Sequence, residues 1–274
     1  MNGVIDIGTN TIRAVVYDED MNELFNQGVA SKILDYTADG ILTIAGVVWL
    51  SNVVGTLSVM VEQFAVKPKA FGTAAFRELK NAGEVAAYIK EYTGTEIVIL
   101  SGEEEAECDY LSLKEYADFG VGIDLGGGSC QIVLFDEHGF EGKSYQIGVK
   151  RMKNRFVTGI IPLEGESRAV YDFVKNEIKI DQNSDCLYIF GGTAKALAKL
   201  NGNDLITIEQ LTDIKELALK ENAEKYLLEK VHNRYDTVLV GASVLHAIAH
   251  KLGAKELKIM DCSVRKGFIL KYCT

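Results

Sequence analysis

Apolar and polar positions along this chain fall in an order that occurs twice. Residues 3–8 are a short apolar run that carries an aspartate at position 6, residues 11–18 alternate apolar and polar positions, and residues 22–33 form a third extended stretch. A long apolar helix is predicted over about 41–65. Strand 69–73, helix 75–92, strand 95–100 and a helix opening at 102 follow. The second half repeats the order, with strands near 121–126, 129–136 and 140–147 and helices near 148–156 and 163–179. Strand 186–190 precedes a helix over 193–200, a helical stretch over 207–232, a helix over 237–252, strand 255–260 and a last helix over 263–272. Three antiparallel strands followed by alternating helices and strands predict a mixed sheet with helices on both faces. The expected fold class is therefore α/β, in two domains, 1–118 and 119–274. The boundary is expected near Asp118 to Val121, with an active cleft between the domains.

The repeat is sharpest in two fourteen-residue segments 118 positions apart, 5–18 (IDIGTNTIRAVVYD) and 123–136 (IDLGGGSCQIVLFD). Ile5, Asp6, Gly8, Val15 and Asp18 recur as Ile123, Asp124, Gly126, Val133 and Asp136, and the hydroxyl of Thr11 recurs as Ser129. Each segment is a hairpin with a small-residue tip, whose backbone amides can close on an anion. An aspartate beside an anion is consistent with a divalent cation between the two, held largely through water. Gly8, Thr9, Asn10, Thr11 and Arg13 in the first hairpin, and Gly126, Gly127, Gly128 and Ser129 in the second, are the candidate phosphate binders. Asp6 and Asp124 are the candidate metal ligands.

A net charge of −10 weighs against general nucleic-acid binding and against an anionic membrane surface. It also requires that a polyanionic substrate be held by local cations and metal. The five cysteines include no CxxC pair and read as thiols in a reducing, cytoplasmic setting. Residue 4 onward reads as a core strand, so no signal peptide is expected. Residues 41–61 carry no charge, which is enough length for a bilayer, but their seven Ser, Thr, Asn and Gly residues and the flanking Asp39 and Glu62 favour a helix packed on a sheet.

Three strand-to-helix junctions carry further candidate chemistry. In Ser101-Gly102-Glu103-Glu104-Glu105-Ala106, Ser101 and Glu104 fit a capping box, which leaves Glu103 and Glu105 free in a turn where the helix dipole favours acids. Phe71 to Arg77 places an arginine in the first turn of a helix, against the dipole, where a fork for phosphate would explain it. Gly191-Gly192-Thr193 opens a helix after a strand, a common anion site and also a common packing device. Asp261-Cys262-Ser263 is expected at the same edge, followed by Arg265 and Lys266. His246 and His250 lie four apart on a predicted helix with no third ligand nearby, which weighs against zinc.

With the hairpins and the GGTA turn in place, the chain resembles the superfamily of actin, heat-shock ATPases and sugar kinases. It is more closely similar to the exopolyphosphatases and guanosine pentaphosphate phosphohydrolases. DIGTNTIR, FGTAAFRE, SGEEEA, DLGGGS, QIGVKRMKNRF and GGTA stand in that family's order and spacing over essentially all 274 residues. The resemblance implies two ribonuclease H-like, actin-like domains and hydrolysis of a terminal phosphoanhydride, in polyphosphate or guanosine pentaphosphate. It also implies magnesium, with manganese as a substitute. It makes Glu105 the catalytic acid, with a share in metal binding, and Arg77 the phosphate-contacting arginine. The family's second loop usually runs GGGST-Glu. Here it runs through Ser129-Cys130-Gln131, so Gln131 keeps hydrogen bonding and loses a charge, which bears on metal affinity and on activity. Many relatives also carry a C-terminal helical domain that this sequence does not include.

The expected reaction is attack on the terminal phosphorus by water whose proton Glu105 accepts, with Arg77 and the hairpin amides stabilising the transferred group. Two other readings stay open: a guanosine tetra- or pentaphosphate sensor with little catalysis, and a small-molecule kinase. Polyphosphate against guanosine pentaphosphate, and the oligomeric state (a homodimer among the options), are not decided by the sequence.

Overall fold

The structure is a computed structural model that describes residues 1–273. Its elements run β1 (Asn2–Ile7), β2 (Thr11–Tyr17), β3 (Glu23–Ala30), β4 (Thr37–Ala38), β5 (Ile41–Leu42), α1 (Ile44–Glu62), β6 (Pro68–Gly72), α2 (Ala74–Arg77), α3 (Ala82–Thr93), β7 (Ile97–Ile99) and α4 (Gly102–Leu113). They continue with β8 (Gly120–Leu125), β9 (Cys130–Asp136), β10 (Gly139–Tyr145), α5 (Val149–Phe156), α6 (Glu164–Glu177), β11 (Cys186–Phe190), α7 (Gly191–Asn201), β12 (Leu205–Thr207) and α8 (Ile208–Glu216). The last four are α9 (Ala223–Val231), α10 (Val238–Lys251), β13 (Glu256–Ile259) and α11 (Val264–Tyr272).

Two compact units result. The first holds Met1–Cys108 together with α11, and the second holds Asp109–Ser263. The expected division after 118 is thus displaced into α4, and the last helix belongs to the first unit. The reason is local packing: Val264, Phe268 and Ile269 of α11 are buried with Val4, Val15, Tyr17, Phe71, Leu100 and Cys108. Gly267 permits this approach, since a Cβ there would stand 1.7 Å from the Cys108 carbonyl oxygen.

The sheet of unit 1 has the order β3-β2-β1-β6-β7, with β1–β2 and β2–β3 antiparallel and β1–β6 and β6–β7 parallel. One face is covered by α1 and α3, through Leu50, Val54, Leu57, Val61, Val85 and Ile89, and the other by α11 and α4. α1 has the length and apolarity of a membrane span, with mean hydropathy 1.9. One of its faces, through Leu50, Val54, Leu57 and Val61, packs on the sheet, and the polar Ser58 on that face bonds Thr95 at 2.8 Å.

Unit 2 repeats the plan with the order β10-β9-β8-β11-β13-β12. β8 pairs parallel to β11, and β11 to β13, while β12, absent from the sequence expectation, adds an antiparallel edge. Its three residues are too few for a periodic signal. A core built from β8, β9, α5, α6, α7, α8 and α10 lies on one face, and Tyr110 and Leu113 of α4 meet Phe135 and Gly122 on the other.

Two helical expectations change. The helix over 75–92 is two helices, α2 and α3, broken at Leu79-Lys80-Asn81. Asn81 uses its amide to pair with both backbone groups of Leu42, at 3.0 and 3.1 Å. The stretch 207–232 is likewise broken, into α8, a short 3-10 turn and α9.

Gly267→Ala is expected to lower stability by about 1–3 kcal/mol, because the added methyl meets backbone, not a movable side chain, and this outweighs alanine's better helix propensity. Urea unfolding measures it. An unchanged midpoint would show that α11 is not seated this closely on α4.

Candidate functional site

Parallel pairing brings the ends of three strands of unit 1 to one edge. Ile7, Gly72 and Ile99 are in register, and Thr73 N–H donates to Ile7 O at 3.3 Å while Leu100 N–H donates to Gly72 O at 3.0 Å. The Gly8–Thr11 turn, the Thr73–Arg77 junction and the Ser101–Ala106 helix start therefore lie side by side, as chemistry at the carboxyl ends of strands requires.

The acidic run sorts itself as expected from capping. Glu104 accepts from Ser101 N–H at 2.8 Å, and Ser101 Oγ accepts from Glu104 N–H at 3.1 Å. These bonds, led by the Ser101 backbone, hold the Glu104 carboxyl below its ordinary pKa. Glu105 is buried, and its Oε2 lies 3.0 Å from Arg77 Nη1. The same Nη1 donates to Leu100 O at 2.7 Å, while Arg77 Nη2 is buried with no protein partner among the described residues. Arg77 closes the four-residue α2 and does not open a long helix, so the dipole conflict expected for it does not arise. Its position is fixed instead by Glu105 and the Leu100 carbonyl.

Asp6 has a different partner from the one expected. Its Oδ2 lies 2.9 Å from Nη1 of Arg265, in the first turn of α11. Burial pushes the Asp6 carboxyl up from its ordinary value, and the Arg265 guanidinium opposes that shift. Arg13 stands opposite Asp6 on β2, bonds Asn26, and has its own pKa lowered by burial and then by the neighbouring Arg265. In the tip itself, Gly8 N–H donates to Thr11 O at 3.2 Å and Thr9 is buried.

In unit 2, Asp124 pairs in register with both Phe190 and Gln131. The Gly126–Ser129 loop and the Gly191 turn are therefore adjacent. Gly191 has φ +84°, and a Cβ on it would stand 2.5 Å from Asp124 Oδ1, so glycine is required on both counts. Thr193 is buried and donates to Leu125 O at 3.0 Å, a bond that fastens the turn to β8. The carbonyls of the loop are taken by the start of α5: Val149 N–H donates to Gly126 O and Lys150 N–H to Gly127 O, both at 2.9 Å, and Arg151 Nε donates to Gly128 O at 2.9 Å. With its carbonyls turned toward α5, the loop keeps the amides of Gly127, Gly128 and Ser129 without a backbone acceptor among the described residues. This is a polarity suited to an anion.

Gln131 is buried and donates to Ser129 Oγ at 3.0 Å and Ser144 Oγ at 2.9 Å, so it orders the loop. It is the register equivalent of Arg13: both stand opposite the repeated aspartate. Two arginines escaped the sequence reading in their roles. Arg265 carries no local signal of its ion pair with Asp6. Arg234 packs its guanidinium on Gly192, 2.2 Å from where a Cβ would stand, and comes from a short 3-10 turn 42 positions later.

A hard divalent cation needs one or two carboxylates, with water and phosphate oxygens supplying the rest. Among the described residues no group of three His, Cys, Asp or Glu side chains forms a ready metal site. Asp6 and Glu105 each face a guanidinium, which weakens both as direct ligands. Asp124 lies between the two glycine turns of unit 2, its Oδ1 against Gly191. Cys108, Cys130, Cys186, Cys262 and Cys273 form no disulfide among the described residues.

A family model for the Ppx/GppA phosphatase family matches residues 60–273, so the chain belongs to that family of hydrolytic enzymes. Exopolyphosphatase 1 of Mycobacterium tuberculosis is 22% identical over 299 residues, covering 98% of this chain and 87% of the relative. The guanosine-5'-triphosphate,3'-diphosphate pyrophosphatase of Photobacterium profundum is 24% identical over 224 residues, covering 75% of this chain and 44% of that one. Among solved structures, an exopolyphosphatase from Cytophaga hutchinsonii superposes with TM-score 0.83 at 18% identity, over 98% of this chain and 96% of the other. The Aquifex aeolicus family member gives 0.82 at 21% identity, over 99% and 96%. The fold is thus that of the two-domain, actin-like Ppx/GppA proteins.

Arg265→Met is expected to cost about 3 kcal/mol, since it strands a buried carboxylate. Adding Asp6→Asn should recover part of the loss. Urea midpoints of the single and double variants decide it, and equal midpoints for wild type and Arg265→Met would refute a structural role for the pair.

Proposed function

We propose that this chain hydrolyses the terminal phosphoanhydride of short inorganic polyphosphate or of guanosine pentaphosphate, in the cytoplasm, by in-line attack of water. The observation that carries this reading is the Arg77–Glu105 arrangement. One nitrogen of the guanidinium is fastened to Glu105 and Leu100, and the other terminal nitrogen is buried without an acceptor among the described residues. A phosphate oxygen on the Arg77 Nη2 arm would bring the terminal phosphorus to Glu105. Glu105 takes the proton of the attacking water. Arg77 and the amides of the Gly8–Thr11 turn bind oxygens of the transferred group, where charge spreads in the transition state. Magnesium or manganese, which Asp124 would hold in unit 2, would supply neutralising positive charge.

The assay is phosphate release from short polyphosphate, long polyphosphate and guanosine pentaphosphate, with no acceptor added. Glu105→Gln should lower kcat by about two to four orders of magnitude with little change in KM, as for a lost general base. Wild-type turnover in Glu105→Gln would end the assignment. Release without an acceptor also excludes a kinase. Short chains or the nucleotide should have the higher kcat/KM, because a net charge of −10 repels each phosphate beyond the local cations. A rise in kcat/KM out to hundreds of units would contradict this.

A sensor reading is favoured by one feature, Gln131 opposite Asp124, where a glutamate would give a carboxylate pair for the cation. Gln131→Glu is therefore expected to lower the magnesium concentration for half-maximal activity, by about tenfold if one further charge contact of ~1.4 kcal/mol is gained. An unchanged magnesium dependence would place the metal elsewhere. Tight binding without turnover by the wild-type chain would favour the sensor.

A further inference from the structure

His246 and His250, set aside as zinc ligands, belong to a different feature. They line a cavity of about 880 Å³ within unit 2, walled by α6, α8, the turn after α8 and the last part of α10. The cavity is remote from the glycine turns. Gly241 of α10 packs on Thr193, and His250 lies nine residues further along the helix, about 13 Å by helical rise.

The side chains of the cavity are ordered around Tyr171. His250 stacks on the Tyr171 ring with centroids 5.9 Å apart, and His246 meets it edge-on at 5.5 Å. Arg168, Lys175 and Lys215 approach the same ring at 5.8, 6.0 and 5.9 Å. Both imidazoles are already committed at Nδ1: His250 bonds the Tyr171 hydroxyl, and His246 lies 2.9 Å from Lys215 Nζ. An ammonium can only donate, so His246 Nδ1 accepts and its proton sits on Nε2. Burial, followed by Lys215, holds the His246 pKa down at about 4, so the ring is neutral at physiological pH. These commitments disfavour a metal.

Three carboxylates, Glu164, Asp172 and Glu216, line the cavity with three cations, Arg168, Lys175 and Lys215, but it is the cations that converge on the Tyr171 ring, which favours an anion there. Arg168 is answered by Asp172 at 3.0 Å. The half-buried Lys215 has a neutral imidazole as its hydrogen-bond partner, and neither Lys215 nor Lys175 has a carboxylate within ion-pair distance among the described residues. Burial lowers the Lys215 pKa, the Glu216 carboxylate opposes that shift without an ion pair to Lys215 among the described residues, and a bound anion would relieve the rest. Beside these cations the wall is apolar, through Ile208, Ala218 and Ala254, and Leu219 stands 70% exposed at the rim. An apolar wall with a few convergent polar groups, in a cavity of this size, is the form that small-molecule sites take.

We infer that this cavity is a second ligand site, for a small organic anion that joins an apolar or aromatic body to one carboxylate or phosphate-ester group. The anionic group meets Lys215 and Lys175, and the body lies along Ile208, Ala218 and Leu219.

The test uses the full chain and follows the His246 and His250 imidazole resonances while benzoate, phenyl phosphate or inorganic phosphate is added. Benzoate or phenyl phosphate should shift these resonances saturably, with Kd in the range of roughly 0.1–5 mM. The tighter of the two identifies the source as carboxylate or phosphate ester. Inorganic phosphate, lacking the body, should bind at least about tenfold more weakly there. Lys215→Met should weaken binding by about tenfold or more, and Ala218→Trp, which fills the groove from its apolar side, should abolish it with phosphate release unchanged. Glu105→Gln should leave the titration as it is. No saturable shift by about 10 mM of either organic probe, or equal binding by Lys215→Met and Ala218→Trp, would overturn the proposal.

Discussion

Parallel pairing at the centre of each sheet is the constraint on which the candidate chemistry depends. β6 and β7 run parallel to β1, and β11 and β13 parallel to β8. Parallel neighbours end at the same edge, so residues far apart in sequence become neighbours without any contact of their own having to arrange it. Gly8, Thr73 and Ser101 meet this way in unit 1, and Gly126, Gly191 and Asp261 in unit 2. The antiparallel hairpin that precedes each parallel set places the small-residue tip at that edge. One plan, used twice, thus yields two small-residue turns at equivalent sheet edges.

The charges at these edges are matched locally. Arg77 serves Glu105, and Arg265 serves Asp6. Each pair is largely buried, so removing either member would leave an expensive uncompensated group. The pairs also impose directions. Arg77 is held by a backbone carbonyl and a carboxylate through a single nitrogen, so its remaining buried arm has a fixed aim. Within the repeat, Arg13 and Gln131 stand at the same register position opposite Asp6 and Asp124. The two halves have kept the frame and diverged in the charge beside the aspartate: one received a cation and the other a neutral amide.

Much of the fold was legible in the chain because its signals are local. The 5–18 and 123–136 segments announce two equivalent hairpins, and periodicity gives most strands and helices to within a few residues. The Ser101/Glu104 capping box was readable from spacing alone, and it left Glu103 and Glu105 as the acids with no capping duty. The break between α2 and α3 was not readable. It depends on Asn81 pairing with Leu42, a contact across 39 positions.

What the sequence determined by itself is the repeat, the glycine tips, the family and the short list of acids and arginines, since all of these rest on residue type and spacing. Tertiary structure alone decided their partners. Arg265 reaches Asp6 because Gly267 lets α11 settle onto α4 in the first unit. Gln131 turned out to order Ser129 and Ser144, and the two histidines of α10 found Lys215 and Tyr171. Each of these is a long-range contact fixed by helix seating and strand register, and no local pattern encodes the side chain waiting at the other end.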